Sequence, residues 1–176
     1  MNFRMVKRIV LVLGILLAGL CLYVGILWVK NVWPIGDTSL KNEGVGNLVI
    51  GMDESQMTQY YPEFAYDSGV YYFHDADGFI VTTDSKTKKI VCMELRDKID
   101  GQTFTTKKGI GIGSSFADVQ RKYGANYRKK NTEIYGDMVE FQDSNTNQKI
   151  GFGMDYKNGR VTVVVLYDYE KYKFPY

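Results

Sequence analysis

The stretch His74-Asp75-Ala76-Asp77-Gly78 holds the one histidine of the chain, beside two carboxylates. Those residue types could bind a metal or exchange protons. A calcium loop, however, places oxygen ligands at alternate positions around a turn glycine and adds a distant bidentate glutamate. Only Asp75 and Asp77 meet that pattern. Gln142 and Asp143 hold the same places as His74 and Asp75 in a second copy of the segment, so the stretch reads as a hairpin turn. Any histidine-based triad would have to use His74, and no nucleophile neighbours it in sequence.

Gly109, Gly111 and Gly113 precede Ser114 and Ser115. No Lys-Ser/Thr follows the last glycine, and the dinucleotide spacing is absent, so neither phosphate-loop pattern is met. The serines read as helix caps. With no nucleophile–base pair and no metal cluster in the pattern, the expectation is a protein that is not an enzyme, with no catalytic residue, cofactor or metal ligand assigned.

The positions around these glycines occur twice. Ile50 and Gly51 match Ile112 and Gly113 at an offset of 62 residues, with Met57 matching Val119 and Tyr61 matching Tyr123. Ser115 with Asp118 forms a variant capping box, Phe116, Val119 and Tyr123 share a helical face, and Gly124 is the stop. In the first copy Asp53 caps and Pro62 ends the helix. Further on, 79–97 matches 150–168 at an offset of 71, pairing Asp84 with Asp155, Met93 with Val164 and Leu95 with Leu166. Between them, Tyr71 and Phe73 match Val139 and Phe141. The offset grows where turns lengthen, as a duplication tolerates.

Each copy then reads as a short helix and a three-stranded antiparallel meander: strands at 69–74, 79–83 and 89–95, and at 138–142, 149–155 and 160–167. Asn158-Gly159 is a strong hairpin signal. The insertion between Ala125 and Asp137 has room for a further strand. The expected fold class is α+β, with one sheet built from both copies and the helices on one of its faces.

Ahead of the repeats, Arg4, Lys7 and Arg8 precede an uncharged apolar run of 21 residues from Ile9 to Val29. A run of that length predicts a transmembrane signal anchor, with the N-terminus in the cytoplasm and the rest outside. A cleaved signal is the alternative. The expected divisions are 1–8, cytoplasmic; 9–29, the anchor in the lipid bilayer; 30–47, a tether; 48–97, the first repeat; 98–108, a linker; 109–168, the second repeat; and 169–176, an aromatic tail.

The whole chain carries 22 basic and 20 acidic residues. Without Arg4, Lys7 and Arg8, 19 bases face 20 acids, a net of −1. A nucleic-acid partner is not expected without a basic excess. Arg128-Lys129-Lys130 reads as a solvated loop. Cys21 and Cys92 fall in the anchor and in a strand, so no disulfide is expected within the outer domain.

Strand alternation puts Tyr72 and His74 opposite Tyr71 and Phe73. If the helices cover the latter pair, Tyr72 and His74 look outward together with Glu140 and Gln142. Tyrosine-rich polar faces make good protein-binding surfaces, so these four residues are the candidate protein-binding face.

The paired motif, Ile50-Gly51 with Met57 and Ile112-Gly113 with Val119 and Gly124, resembles the secreted β-lactamase inhibitor protein family. It also resembles the related small lipoprotein of the outer-membrane β-barrel assembly machinery. The resemblance covers roughly residues 48–170. Tyr61-Pro62 replaces the closing glycine in the first copy, and the inhibitors' cysteine pair in each repeat is absent. What the resemblance implies is a fold and a habit of binding proteins. The expected function is protein binding as an inhibitor or immunity protein against a secreted enzyme or toxin. The alternative is a structural or assembly factor of the cell envelope.

Overall fold

The computed structural model describes residues 3–32, 36–73, 78–98, 103–155 and 157–174; side chains are described from 12 to 26 within the first helix, and that of 73 is outside them. The chain divides into two compact units, Met1–Pro34 and Ile35–Tyr176.

The first unit holds one helix, α1 (Phe3–Val32). Its leucine-rich run without proline suits a helix. The expectation of a membrane-spanning anchor at 9–29, and with it a single-pass membrane location and bilayer contact, is corrected. Among the described residues, no helix is long and apolar enough to cross a membrane.

In the second unit the order is β1 (Gly44–Val45), β2 (Leu48–Val49), α2 (Glu54–Tyr60), β3 (Ala65–Asp67), β4 (Val70–Phe73), β5 (Phe79–Thr83), β6 (Ile90–Leu95), α3 (Phe116–Tyr123), β7 (Arg128–Thr132), β8 (Gly136–Asp143), β9 (Gln148–Asp155) and β10 (Arg160–Asp168). β1 and β2 form a small sheet of their own. The remaining strands form one antiparallel sheet in the order β3-β4-β5-β6-β10-β9-β8-β7. The expected fold of a membrane helix followed by two three-stranded meanders is therefore corrected. Each half of the large sheet supplies four strands, and a second, two-stranded sheet accompanies it. The additional strands β3 and β7 are the two end strands, and neither shows the apolar alternation by which strands are recognised. β3 is exposed throughout, and β7 buries only Thr132.

The helix ends follow from local chemistry. Asp53 caps α2 by accepting from the Ser55 N–H at 3.0 Å. Ser115 caps α3 by accepting from the Asp118 N–H at 3.1 Å, and Asp118 answers the Ser115 N–H at 3.4 Å. The turns before them repeat as well. Gly51 and Gly113 both have positive φ, 85° and 87°, where a side chain would be strained. The Gly51 N–H donates to the Ile90 carbonyl and the Gly113 N–H to the Val161 carbonyl, each at 2.8 Å. The same contact is thus made twice, by residues related by the offsets of 62 and 71.

The two halves meet through their last strands. Across β6 and β10, Leu95 pairs with Val164 and Met93 with Leu166. These are two pairs of equivalent positions exchanged, which is what a local two-fold axis does. One sheet face carries Phe79, Val81, Met93, Leu95, Phe141, Phe152, Val164 and Leu166, which cluster with Met57 of α2 and with Val119 and Tyr123 of α3. The segment from 36, expected as part of a tether, is built into this core. Leu40 and Val45 are fully buried. The Leu40 N–H donates to Asp143 at 2.7 Å, and buried Glu43 accepts from the Lys107 N–H at 2.8 Å and the Tyr123 hydroxyl at 3.0 Å.

Candidate functional site

On the opposite sheet face the alternation of β6 presents Cys92 and Glu94, that of β8 Met138 and Glu140, and that of β10 Val163, Val165 and Tyr167. Two carboxylates on a sheet face demand partners once anything covers them. What covers them is the chain's own end. Asp168 starts a turn by accepting from the Glu170 N–H at 3.0 Å and the Lys171 N–H at 3.2 Å. The tail then lies over the face, so that Phe174 joins Cys92, Met138, Val163, Val165 and Tyr167 in a second cluster flanked by Tyr135, Tyr169 and Tyr172. Phe174 stacks on Tyr167 at 5.3 Å and on Tyr135 at 5.7 Å between ring centroids.

Beneath this layer Glu94, 5 % exposed, is the hub. Arg96 donates to its Oε2 from Nη2 at 2.8 Å and from Nε at 3.2 Å. The Tyr135 hydroxyl donates to the same oxygen and accepts from Arg96 Nη2 at 2.8 Å. The Tyr172 hydroxyl reaches Oε1 at 3.4 Å. Glu140, 4 % exposed, anchors a second network: the Tyr167 hydroxyl donates to it at 2.9 Å and Lys149 Nζ stands 3.3 Å away. Lys149 also lies 5.4 Å from the centroid of the Tyr169 ring.

The electrostatics keep the Tyr135 and Tyr172 hydroxyls protonated. Burial, then the bond to Glu94, pushes Tyr135 well above an ordinary phenol. Burial, then the nearby Cys92 and Glu94, does the same for Tyr172. The Cys92 thiol is pushed up by burial and by Glu94, so it is a poor nucleophile at neutral pH. Burial alone would lower Arg96, but the Glu94 bonds outweigh it and hold the guanidinium more firmly charged. The arrangement fixes ring positions. It presents Tyr135, Tyr169 and Tyr172 half-exposed on one face, with Ile134 beside them at 53 % exposure.

The four residues singled out from the sequence are distributed differently. Glu140 and Gln142 lie together on β8, the first buried and the second half-buried. Tyr72 is half-buried on β4, beside Ile80 of β5. Five strand spacings separate β4 from β8, about 24 Å at ~4.8 Å each, so Tyr72 does not meet Glu140 or Gln142. His74 lies outside the described residues. Among the described residues, no group of three or more His, Cys, Asp or Glu could hold a metal ion. Sequence reasoning passed over Glu94, Arg96 and Tyr135. The available signal was Glu94, a charged residue within an otherwise apolar strand, with Arg96 two positions on, just past the strand's end.

No protein-family model matches the chain, and no curated protein matches it. Among solved structures, it is similar to a cysteine-rich secretory protein of Staphylococcus aureus subsp. aureus Mu50, with a TM-score of 0.42 and 14% identity over 69% of this chain and 44% of that one. It is also similar to an extracellular SCP-domain protein of Bacillus anthracis str. Ames, with a TM-score of 0.40 and 12% identity over 77% of this chain and 47% of that one. The chain thus spans less than half the length of either, and likenesses at these scores carry no argument about fold or function.

Proposed function

We propose that residues 35–176 form a protein-binding domain of the inhibitor or immunity kind, acting against a secreted enzyme or toxin through the face that bears Tyr135, Tyr169 and Tyr172. One observation carries this reading: buried Glu94 accepts from the Tyr135 and Tyr172 hydroxyls, and Lys149, paired with buried Glu140, lies against the Tyr169 ring, so three half-exposed tyrosines are held in place. A tyrosine with a fixed ring offers contact area at little entropic loss on binding. Among the described residues of this face, Glu94 and Glu140 are engaged by these networks and the Cys92 thiol is fully buried. The resemblance borne by Ile50-Gly51 and Ile112-Gly113 supports the same class of function.

The test is a capture on the immobilised full chain from secreted protein fractions, run in parallel with a Tyr135→Ala/Tyr169→Ala variant. The expected result is one stoichiometric enzyme or toxin, held by the parent chain, released by the variant and inactivated when bound. Loss of two such anchors should weaken binding by at least ~2 kcal/mol, roughly 30-fold. A partner held equally by both proteins would reject this face. A partner that stays fully active when bound, or a set of envelope-assembly proteins in its place, would reject the inhibitor reading.

A further inference from the structure

Arg128-Lys129-Lys130 is not a loop; it opens β7, the end strand of the large sheet. β7 pairs with β8 along its whole length, from Arg128 opposite Glu140 to Thr132 opposite Gly136. Among the described residues, no strand pairs its other side. Alternation sends Arg128 and Lys130 to one face of the sheet and Lys129 to the other, so this edge is basic whichever way it is approached.

Lysine on an edge strand is a common guard against unwanted pairing. A guard alone does not account for what lies beside it. A cavity of about 460 Å³ opens along β7, lined by Phe116 of α3, Met138 and Val139 of β8, and Met154 of β9, with Lys129 and Asn131 from the edge. That is within the ~300–1,000 Å³ of clefts that take ligands. Its two carboxylates are engaged within the protein. Asp137 accepts from the Asn131 side chain, and Asp155 accepts from the Lys157 N–H at 2.8 Å and from Asn158 at 2.6 Å. The lysines of the edge, with an apolar recess next to them, set the ligand chemistry.

We propose that β7 and this cavity bind an extended acidic segment of a partner protein by strand addition, with one bulky apolar side chain of that segment seated among Phe116, Val139 and Met154. Backbone pairing supplies affinity and alternate side chains supply selectivity in such complexes. The charge of the edge favours an acidic strand. A second copy of this chain fits less well. Its opposite end strand, β3, is acidic at Asp67 but only three residues long, against five in β7. The cavity shares Met138 with the tyrosine face, but the pairing edge of β7 carries none of Tyr135, Tyr169 and Tyr172, so this inference does not rest on the function proposed above.

Fluorescence anisotropy of a dye-labelled nine-residue peptide, alternating Asp or Glu with Val and one central Phe, tests it on the full chain. The expected result is saturable binding that weakens with salt and raises the hydrogen-exchange protection of β7 amides. Methylating alternate peptide nitrogens should weaken binding at least about tenfold, because it removes the pairing donors. Lys129→Glu, an exposed change that leaves the fold's circular dichroism intact, should weaken it by roughly tenfold through charge. Equal binding of the methylated peptide would overturn strand addition and leave charge attraction alone. No binding at millimolar peptide, or self-association of the chain through β7 that the peptide does not compete, would overturn the proposal.

Discussion

Phe79, Phe141 and Phe152 sit fully buried among apolar side chains on the helix-covered face of the sheet, while Glu94 and Glu140 sit almost as deeply on the opposite face among tyrosine hydroxyls and cations. Both layers exclude water from the same strands. The first does so with groups that ask for no partners. The second uses groups that must each be answered, and a covering segment contributed by the chain's last residues. Apolar packing is non-directional, whereas a carboxylate with several donors around it dictates where each donor stands. The contrast between the faces is one of fixed volume against fixed orientation.

The largest expected effect is on the apolar side. Phe152→Ala should lower unfolding free energy by about 3–5 kcal/mol, measured by urea denaturation, because the void opens against the rings of Tyr123 and Phe141. If the loss stays below about 1 kcal/mol, that face is not the closely packed layer described here. Next comes Glu94→Ala, which strands Arg96, Tyr135 and Tyr172. About 2–3 kcal/mol should go, and Glu94→Gln, which keeps acceptor oxygen, should lose less. An equal loss from both would show that the hydrogen-bond geometry at Glu94 does not matter.

A third comparison uses alkali. Tyr71 is pushed up to about 12 by burial and then by its bond to Glu54, and Tyr135 and Tyr172 are also raised. A raised folded value gives stability that is whole below the ordinary phenol range near 10 and is lost as pH climbs through the folded value. Stability should therefore hold to about pH 10 and fall above it, and absorbance at 295 nm should show these tyrosines ionising together with unfolding. Free titration of every tyrosine near pH 10 in the folded protein would contradict the described burial. The smallest effect belongs to the shared scaffold: Ser115→Ala removes the α3 cap and should cost about 1 kcal/mol.

Both helices and their caps were legible in the sequence because capping is a matter of three or four neighbouring residues: Ser115 with Asp118, Asp53 with the turn after it. The recurrence of Gly51 at Gly113 was legible for the same reason. Of the end strands, β7 falls in the insertion between Ala125 and Asp137 where a further strand was expected, but its bounds and the whole of β3 were not legible. Arg128–Thr132 buries one residue in five, and without a buried face there is no alternation to read. Strand order across the sheet was hidden too. Period-two reasoning says which face a side chain takes, not how far across the sheet it lies, so Tyr72 was grouped with Glu140 although the halves meet through β6 and β10 and send β4 and β8 to opposite sides. The tyrosine network escaped because Tyr135 and Glu94 are 41 residues apart, and only tertiary structure joins them. The long apolar run of α1 was legible as helix, while the membrane span expected from it is corrected by the described residues.

The meeting of β6 with β10 also has a kinetic consequence. Hairpins such as β8–β9 close over a few residues, whereas Leu95 reaches Val164 and Cys92 reaches Tyr167 across intervals of 69 and 75 positions. Loop closure grows dearer with length, so we expect the central seam to form last and the halves to condense first. Cys92 lies in that seam and is fully buried. In a Cys21→Ser background, its alkylation rate becomes a clock for the parting of the two halves. Alkylation much faster than global unfolding would mean that the centre of this sheet opens before its flanks.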